Sequence, residues 1–124
     1  MAIGFLVAAA LVVAVGLAHS YLGERYILTR LFQRSDLPRL FGSSDFTVRT
    51  LRFAWHITTV AWFGLAAILV LLAKTAATPE NIALAVGWTF LASGLIALVA
   101  SRGRHLSWVV FLAIGCLAIY GGAS

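Results

Sequence analysis

Four long apolar stretches restrict this chain to a membrane environment. They cover roughly residues 2–22, 53–73, 81–100 and 104–120. About 20 consecutive apolar residues are needed for a helix to cross the hydrocarbon core of a bilayer. The chain is 62% hydrophobic and 10% charged, well beyond the composition of soluble globular domains. We therefore expect an all-α, four-helix transmembrane bundle with up-down topology, forming one integral-membrane domain over residues 1–124.

The first apolar stretch has some features of a secretory signal peptide. It lacks a positively charged start and its apolar run is too long, so we interpret it as a retained helix. Cys116 is the only cysteine, which rules out an intrachain disulfide and a cysteine-based zinc site. We expect Cys116 to be a small apolar residue of the fourth helix.

The distribution of positive charge predicts the orientation. The chain has nine Lys and Arg residues, and all except Lys74 lie either between the first two stretches or within residues 102–104, where the fourth stretch starts. Positively charged loops are retained in the cytoplasm, so both termini are expected on the periplasmic side of a bacterial inner membrane. This topology also accounts for the net charge of +5. No motif indicates a nucleic-acid partner.

The connection over residues 23–52 is expected to be cytoplasmic and amphipathic. Apolar residues recur there at helical spacing among arginines, which predicts that the first helix continues along the membrane surface. Pro38 is expected to interrupt this extension. A new helix is expected from about Asp45, and Asp36 and Asp45 are expected to serve as helix caps or as partners of the arginines. In the connection before the third helix, Thr78 is the candidate N-cap.

Two histidines lie inside the apolar stretches at mirrored positions. His19 is near the end of the first stretch and His56 near the start of the second, so both are expected at similar depth on the cytoplasmic side. Ionisable groups in a bilayer are costly and usually face a bundle interior or a partner. Two imidazoles at one depth suit an axially ligated haem or a metal ion. His19 and His56 are therefore the candidate iron ligands, whereas His105 is interpreted as an interfacial residue.

The residues around the two histidines match the polarity of haem b, which has an apolar macrocycle and two carboxylates at one edge. Arginines at the surface suit the carboxylates, and small or aromatic residues deeper in the membrane suit a flat ring. The candidate contacts are Arg25, Arg49 and Arg52 at the surface and Gly16 and Phe63 deeper. Ser20 or Thr59 is a candidate hydrogen-bond partner for a ligating imidazole.

With four short apolar helices and histidines from two of them near one face, the chain resembles bacterial membrane-bound b-type cytochromes. The resemblance is carried by His19 and His56. It implies electron transfer or haem-dependent redox chemistry, with quinone or a redox protein as partner. Since the chain has three histidines, at most one haem b per subunit follows. Packed helices approach to about 8–10 Å, so either the first two helices separate or a second subunit supplies a ligand.

Two alternatives to haem remain open. One is a cofactor-free membrane scaffold or transporter subunit. The other is a transition-metal ion site at His19 and His56, with His105 and Glu24 at a suitable level. Small residues at helical spacing in the first stretch predict a homo-oligomer. No acidic residue lies inside an apolar stretch, which argues against a carboxylate-based proton relay, and no motif identifies a catalytic residue.

Overall fold

The computed structural model describes residues 2–124, which form four helices. They are α1 (Ala2–Leu31), α2 (Asp45–Ala73), α3 (Pro79–Ser101) and α4 (Ser107–Ala123). This confirms the all-helical prediction. The helices α1, α2 and α3 are each long and apolar enough to cross a membrane, and α4 is a shorter apolar helix of 17 residues.

The helices pack in chain order. α1 packs on α2, α2 packs on α3, and α3 packs on α4. Within residues 2–124, α2 is the only other helix on which α1 packs. The bundle is therefore an open row, and the α1–α2 interface is at one end of it.

Small residues allow the close approach of α3 and α4. A Cβ atom added at Gly115 would lie 2.8 Å from the carbonyl oxygen of Gly87, and one added at Gly87 would lie 3.0 Å from the carbonyl oxygen of Gly115. Glycine and other small residues let helix backbones approach in this way. Between the two helices, Arg102 and Gly103 both adopt positive φ and form a tight turn.

α1 continues beyond its apolar stretch, as the spacing of apolar residues predicts. Its path includes a π-helical segment, Gly23–Leu28, before the final turn Thr29–Leu31. π-Helical segments are rare and often occur at functional sites. Nothing in the apolar periodicity indicates this change of helix type.

One predicted helix start is confirmed and another differs. α2 begins at Asp45, as expected, and the second apolar stretch is its C-terminal part. α4 begins at Ser107 instead of residue 104, because the turn after α3 extends further, with the backbone N–H of His105 donating to the hydroxyl of Ser101. Thr78 is confirmed as the N-cap of α3, since its hydroxyl accepts from the backbone N–H of Asn81 at 3.3 Å.

The connection between α1 and α2 contains the expected acid–arginine pairs. Arg34 donates two hydrogen bonds to the carboxylate of Asp36, at 2.9 and 2.6 Å. This contact holds the pKa of Asp36 below its ordinary value. Asp45 accepts from Arg49 one turn along α2, at 2.9 Å.

Candidate functional site

His19 and His56 both lie at the α1–α2 interface, near the end of the bundle where α1 finishes and α2 begins. Because α3 finishes and α4 begins at the same end, which carries most of the arginines, we call it the arginine-rich end. His19 contacts Trp55, and His56 contacts Ser20. Each histidine thus meets the chain neighbour of the other, which places both imidazoles at one level. They do not face each other across a gap, because each packs against the opposite helix.

A connected set of polar side chains surrounds His56, and we call it the polar cluster: Ser20, Glu24, Arg52, His56 and Thr59. His56 Nδ1 lies 2.9 Å from Ser20 Oγ, and its Nε2 lies 3.2 Å from Glu24 Oε2. The other carboxylate oxygen of Glu24 lies 3.1 Å from Arg52 Nη2. Ser20 Oγ is also 2.7 Å from Thr59 Oγ1. The cluster spans about one turn of α1, from Ser20 to Glu24, and about two turns of α2, from Arg52 to Thr59.

The hydrogen-bond partners determine where the protons of this cluster must lie. The hydroxyl of buried Thr59 donates to the carbonyl oxygen of Gly16 at 3.2 Å, so its oxygen is left to accept from Ser20. Ser20 then accepts from His56 Nδ1–H. His56 Nε2 faces a carboxylate oxygen and also needs a proton to make a hydrogen bond. All contacts are therefore satisfied together when His56 is an imidazolium.

A second group, the aromatic clasp, consists of His19, Trp55 and Trp62. The imidazole of His19 stacks on Trp55 with ring centroids 4.5 Å apart and planes inclined by 2°. The indole N–H of Trp55 donates to the carbonyl of His19 at 3.0 Å, and His19 Nε2 lies 3.3 Å from the carbonyl of Trp55. Trp62 contacts the same imidazole in a tilted arrangement at 5.0 Å. The clasp joins α1 and α2 beside the polar cluster.

Two glycines of α1 let side chains of α2 reach its backbone. The indole of Trp55 lies against Gly23, where an added Cβ would overlap the ring. A Cβ at Gly16 would lie 3.0 Å from Phe63 Cε1. The space that the sequence analysis assigned to a porphyrin beside Gly16 is thus occupied by Phe63 and Thr59.

The three arginines expected to bind haem propionates have partners within the protein. Arg52 pairs with Glu24, and its guanidinium lies 4.9 Å from the ring centre of Phe32. Arg49 pairs with Asp45 and donates to the carbonyl of Ala100 in α3 at 3.1 Å. Arg25 lies over the ring of its neighbour Tyr26 at 5.6 Å.

In the single chain, these residues do not fit a haem between α1 and α2. Both ring nitrogens of His56 have protein partners, and aromatic and hydroxyl side chains fill the interface. Ligation by His19 and His56 stays a prediction that requires the helices to separate or a second subunit to take part. Within residues 2–124, no three His, Cys, Asp or Glu side chains come together as a metal-ion group.

His105 lies apart from the two other histidines. Its ring stacks on Phe46 and meets Phe53 edge-on, with centroid distances of 5.8 and 5.1 Å. Its Nδ1 lies 2.8 Å from the hydroxyl of Ser107 at the start of α4. His105 therefore connects the turn before α4 to α2.

Ser20 or Thr59 is predicted as the partner of an imidazole, and the structure places Ser20 beside His56. The pairing of Glu24 with His56 and the contact of Trp55 with Gly23 are not predicted from the sequence. A usable signal was present, because Ser20 and Glu24 are four residues apart on α1, as are Arg52 and His56 on α2. These spacings place two polar pairs on facing helices.

Comparisons of the chain with protein-family models, curated proteins and solved structures find no match. The function is therefore inferred from the geometry of the site.

Proposed function

We propose that this protein is a proton-responsive, cofactor-free helical module of a bacterial cytoplasmic membrane, serving as a subunit of a small transport or assembly system. In this proposal, the polar cluster takes up one proton from the cytoplasm, and the proton holds α1 against α2. The observation that carries the proposal is the hydrogen-bonded chain from Arg52 to the carbonyl of Gly16, which is complete when His56 is doubly protonated.

The lengths of the helices support a position of the cluster near the cytoplasmic boundary. At about 1.5 Å per residue, His56 is about 26 Å along α2 from its last residue, Ala73. The hydrocarbon core is about 30 Å thick, so His56 lies just inside one boundary when Ala73 lies at the other. The arginines at the same end favour a cytoplasmic location. A proton from the cytoplasm therefore has a short path to His56.

Loss of the proton disfavours the closed contact between the helices. A neutral His56 with its proton on Nε2 donates to Glu24 and must accept from Ser20 at Nδ1. Thr59 then donates to Ser20, and its hydrogen bond to the carbonyl of Gly16 is lost. With the proton on Nδ1 instead, the Nε2 lone pair faces Glu24 Oε2 at 3.2 Å, and two acceptors cannot bond to each other. A polar group left without a partner in a partly buried site is costly. Two charged side chains belong to this contact. Glu24 of α1 contacts His56 directly, and Arg52 of α2 pairs with Glu24.

The sign of the pH dependence follows from the proton count. Because the closed contact binds one more proton than the open one, it is favoured as pH falls and weakened as pH rises. Glu24 lies in the π-helical segment Gly23–Leu28 of α1, a type of helix that often occurs at functional sites.

The experiment compares thermal unfolding of the full chain in lipid nanodiscs between about pH 5 and 8 for wild type, His56→Gln and Glu24→Gln, with His105→Gln as the matched control. We expect the midpoint temperature of the wild type to fall as pH rises. The change of this temperature with pH should be strongly reduced in the His56 and Glu24 variants. The control should retain the wild-type slope because His105 lies outside the cluster. An unchanged slope in His56→Gln would contradict the proposal.

The prediction of a haem b protein is kept as the competing hypothesis. No contact in the single chain favours it, and it predicts a Soret band that the cofactor-free module lacks.

A further inference from the structure

A second site, independent of the polar cluster, lies between α2 and α3. It is a cavity of about 290 Å³. Its walls are apolar, since the hydroxyls of Thr89 and Ser93 donate to backbone carbonyls of their own helix at 2.7 and 2.8 Å. The lining includes Ile57, Ala61 and Gly64 of α2, Ala85 and Phe90 of α3, and Phe111 of α4.

The apolar walls restrict what can occupy this cavity. Water does not enter a cavity that lacks polar partners, and an empty cavity costs free energy in proportion to its volume. The cavity is only partly enclosed by the protein. For a chain inserted in a bilayer, the available apolar occupant is a hydrocarbon chain of a lipid.

The charge at the arginine-rich end of the same helix pair selects the lipid headgroup. On α2, Arg49 precedes Ile57 by two helical turns on one face, a rise of about 12 Å. Arg49 donates to the carbonyl of Ala100, so it lies across the α2–α3 junction. Arg102 and Arg104 follow directly in the turn after α3. Guanidinium groups bind phosphate well, and arginine clusters near a membrane attract anionic lipids.

We infer that the α2–α3 cavity binds one anionic phospholipid. One acyl chain occupies the cavity, and the phosphate lies at the guanidinium groups of Arg102 and Arg104, next to Arg49, which is held by Asp45 and the carbonyl of Ala100. The site does not depend on protonation of His56, so its failure and the failure of the proton-responsive function are separate results.

The acyl-chain part is tested by native mass spectrometry of the delipidated full chain in detergent, titrated with phosphatidylglycerol. We expect one tightly bound lipid per chain in the wild type. Ala61→Phe fills the cavity and should weaken binding about tenfold, whereas Ala92→Phe, on an exposed face of α3, should bind as the wild type does. Circular dichroism checks folding, and Ala61→Leu replaces the larger variant if it does not fold.

The headgroup part is tested by comparing phosphatidylglycerol with phosphatidylcholine of the same acyl chains. We expect tighter binding of phosphatidylglycerol, and a loss of about fivefold in Arg104→Gln, from about 1 kcal/mol per basic residue at a membrane surface. Arg39→Gln is the control, because Arg39 is an exposed arginine of the α1–α2 connection. Equal binding of the two lipids by the wild type, or wild-type affinity in a folded Ala61 variant, would overturn the inference.

Discussion

The indole of Trp55 lies directly on the backbone of Gly23, at the residue where α1 changes from α-helix to π-helix. The indole also donates to the carbonyl of His19, one turn earlier in α1. Glu24 and His56 are the next residues in the chain after Gly23 and Trp55. The contact between indole and glycine therefore positions the acid and the base of the polar cluster.

Replacing Gly23 by Ala should open this contact. The added methyl overlaps the indole, and relief of such overpacking costs about 1–3 kcal/mol. The measurement is equilibrium unfolding of the full chain in mixed micelles. Gly4→Ala in the same helix is the control, because a Cβ there meets nothing within 4 Å. Equal changes in the free energy of unfolding for the two substitutions would show that the packing of Trp55 does not require a glycine at position 23.

Two adjacent threonines of α2 distinguish the stability that comes from the polar cluster from the stability that comes from helix propensity. Thr59 is buried and joins Ser20 to the carbonyl of Gly16, whereas Thr58 bonds only the carbonyl of Ala54 in its own helix, at 3.3 Å. Thr59→Val should destabilise the chain by about 1 kcal/mol, the usual value of a hydrogen bond between helices in a membrane. Thr58→Val should have little effect in the same unfolding assay. A larger loss of stability in Thr58→Val than in Thr59→Val would exclude a structural role for Thr59.

The absorbance spectrum distinguishes the proton-responsive module from a haem protein. Because both ring nitrogens of His56 are engaged and α1 packs directly on α2, we expect the protein purified from haem-replete cells to lack a Soret band. A red protein whose Soret band is lost in His19→Ala and in His56→Ala, and kept in His105→Ala, would instead establish bis-histidine haem ligation.

The general fold could be predicted from the sequence because the strongest signals are local. Apolar runs of sufficient length predict the helices, and the spacing of Tyr26, Ile27 and Leu31 predicts the extension of α1. The π-helical segment is not predictable in this way, because it accompanies the contact of Gly23 with a distant tryptophan. The late start of α4 similarly depends on the hydrogen bond between Ser101 and His105.

The depth of the two histidines could be predicted from the sequence, but their hydrogen-bond partners could not. Charge and topology predict that His19 and His56 lie at one depth. The rotation of each helix about its own axis is not determined when nearly every face is apolar, so the choice between facing histidines and a His56–Glu24 pair was open. Only the polar residues at four-residue spacing, Ser20 with Glu24 and Arg52 with His56, carried information on that rotation.

The most direct test of the central claim is ¹⁵N NMR of the histidine side chains of the full chain in lipid bilayers, with His56 assigned by comparison with His56→Gln. We predict that both ring nitrogens of His56 are protonated while α1 and α2 are in contact, because Nδ1 faces Ser20 and Nε2 faces the carboxylate of Glu24. Ser20→Ala should change the Nδ1 resonance, because it removes the hydrogen-bond partner of this nitrogen. A His56 ring that is a single neutral tautomer in the folded chain would contradict the account.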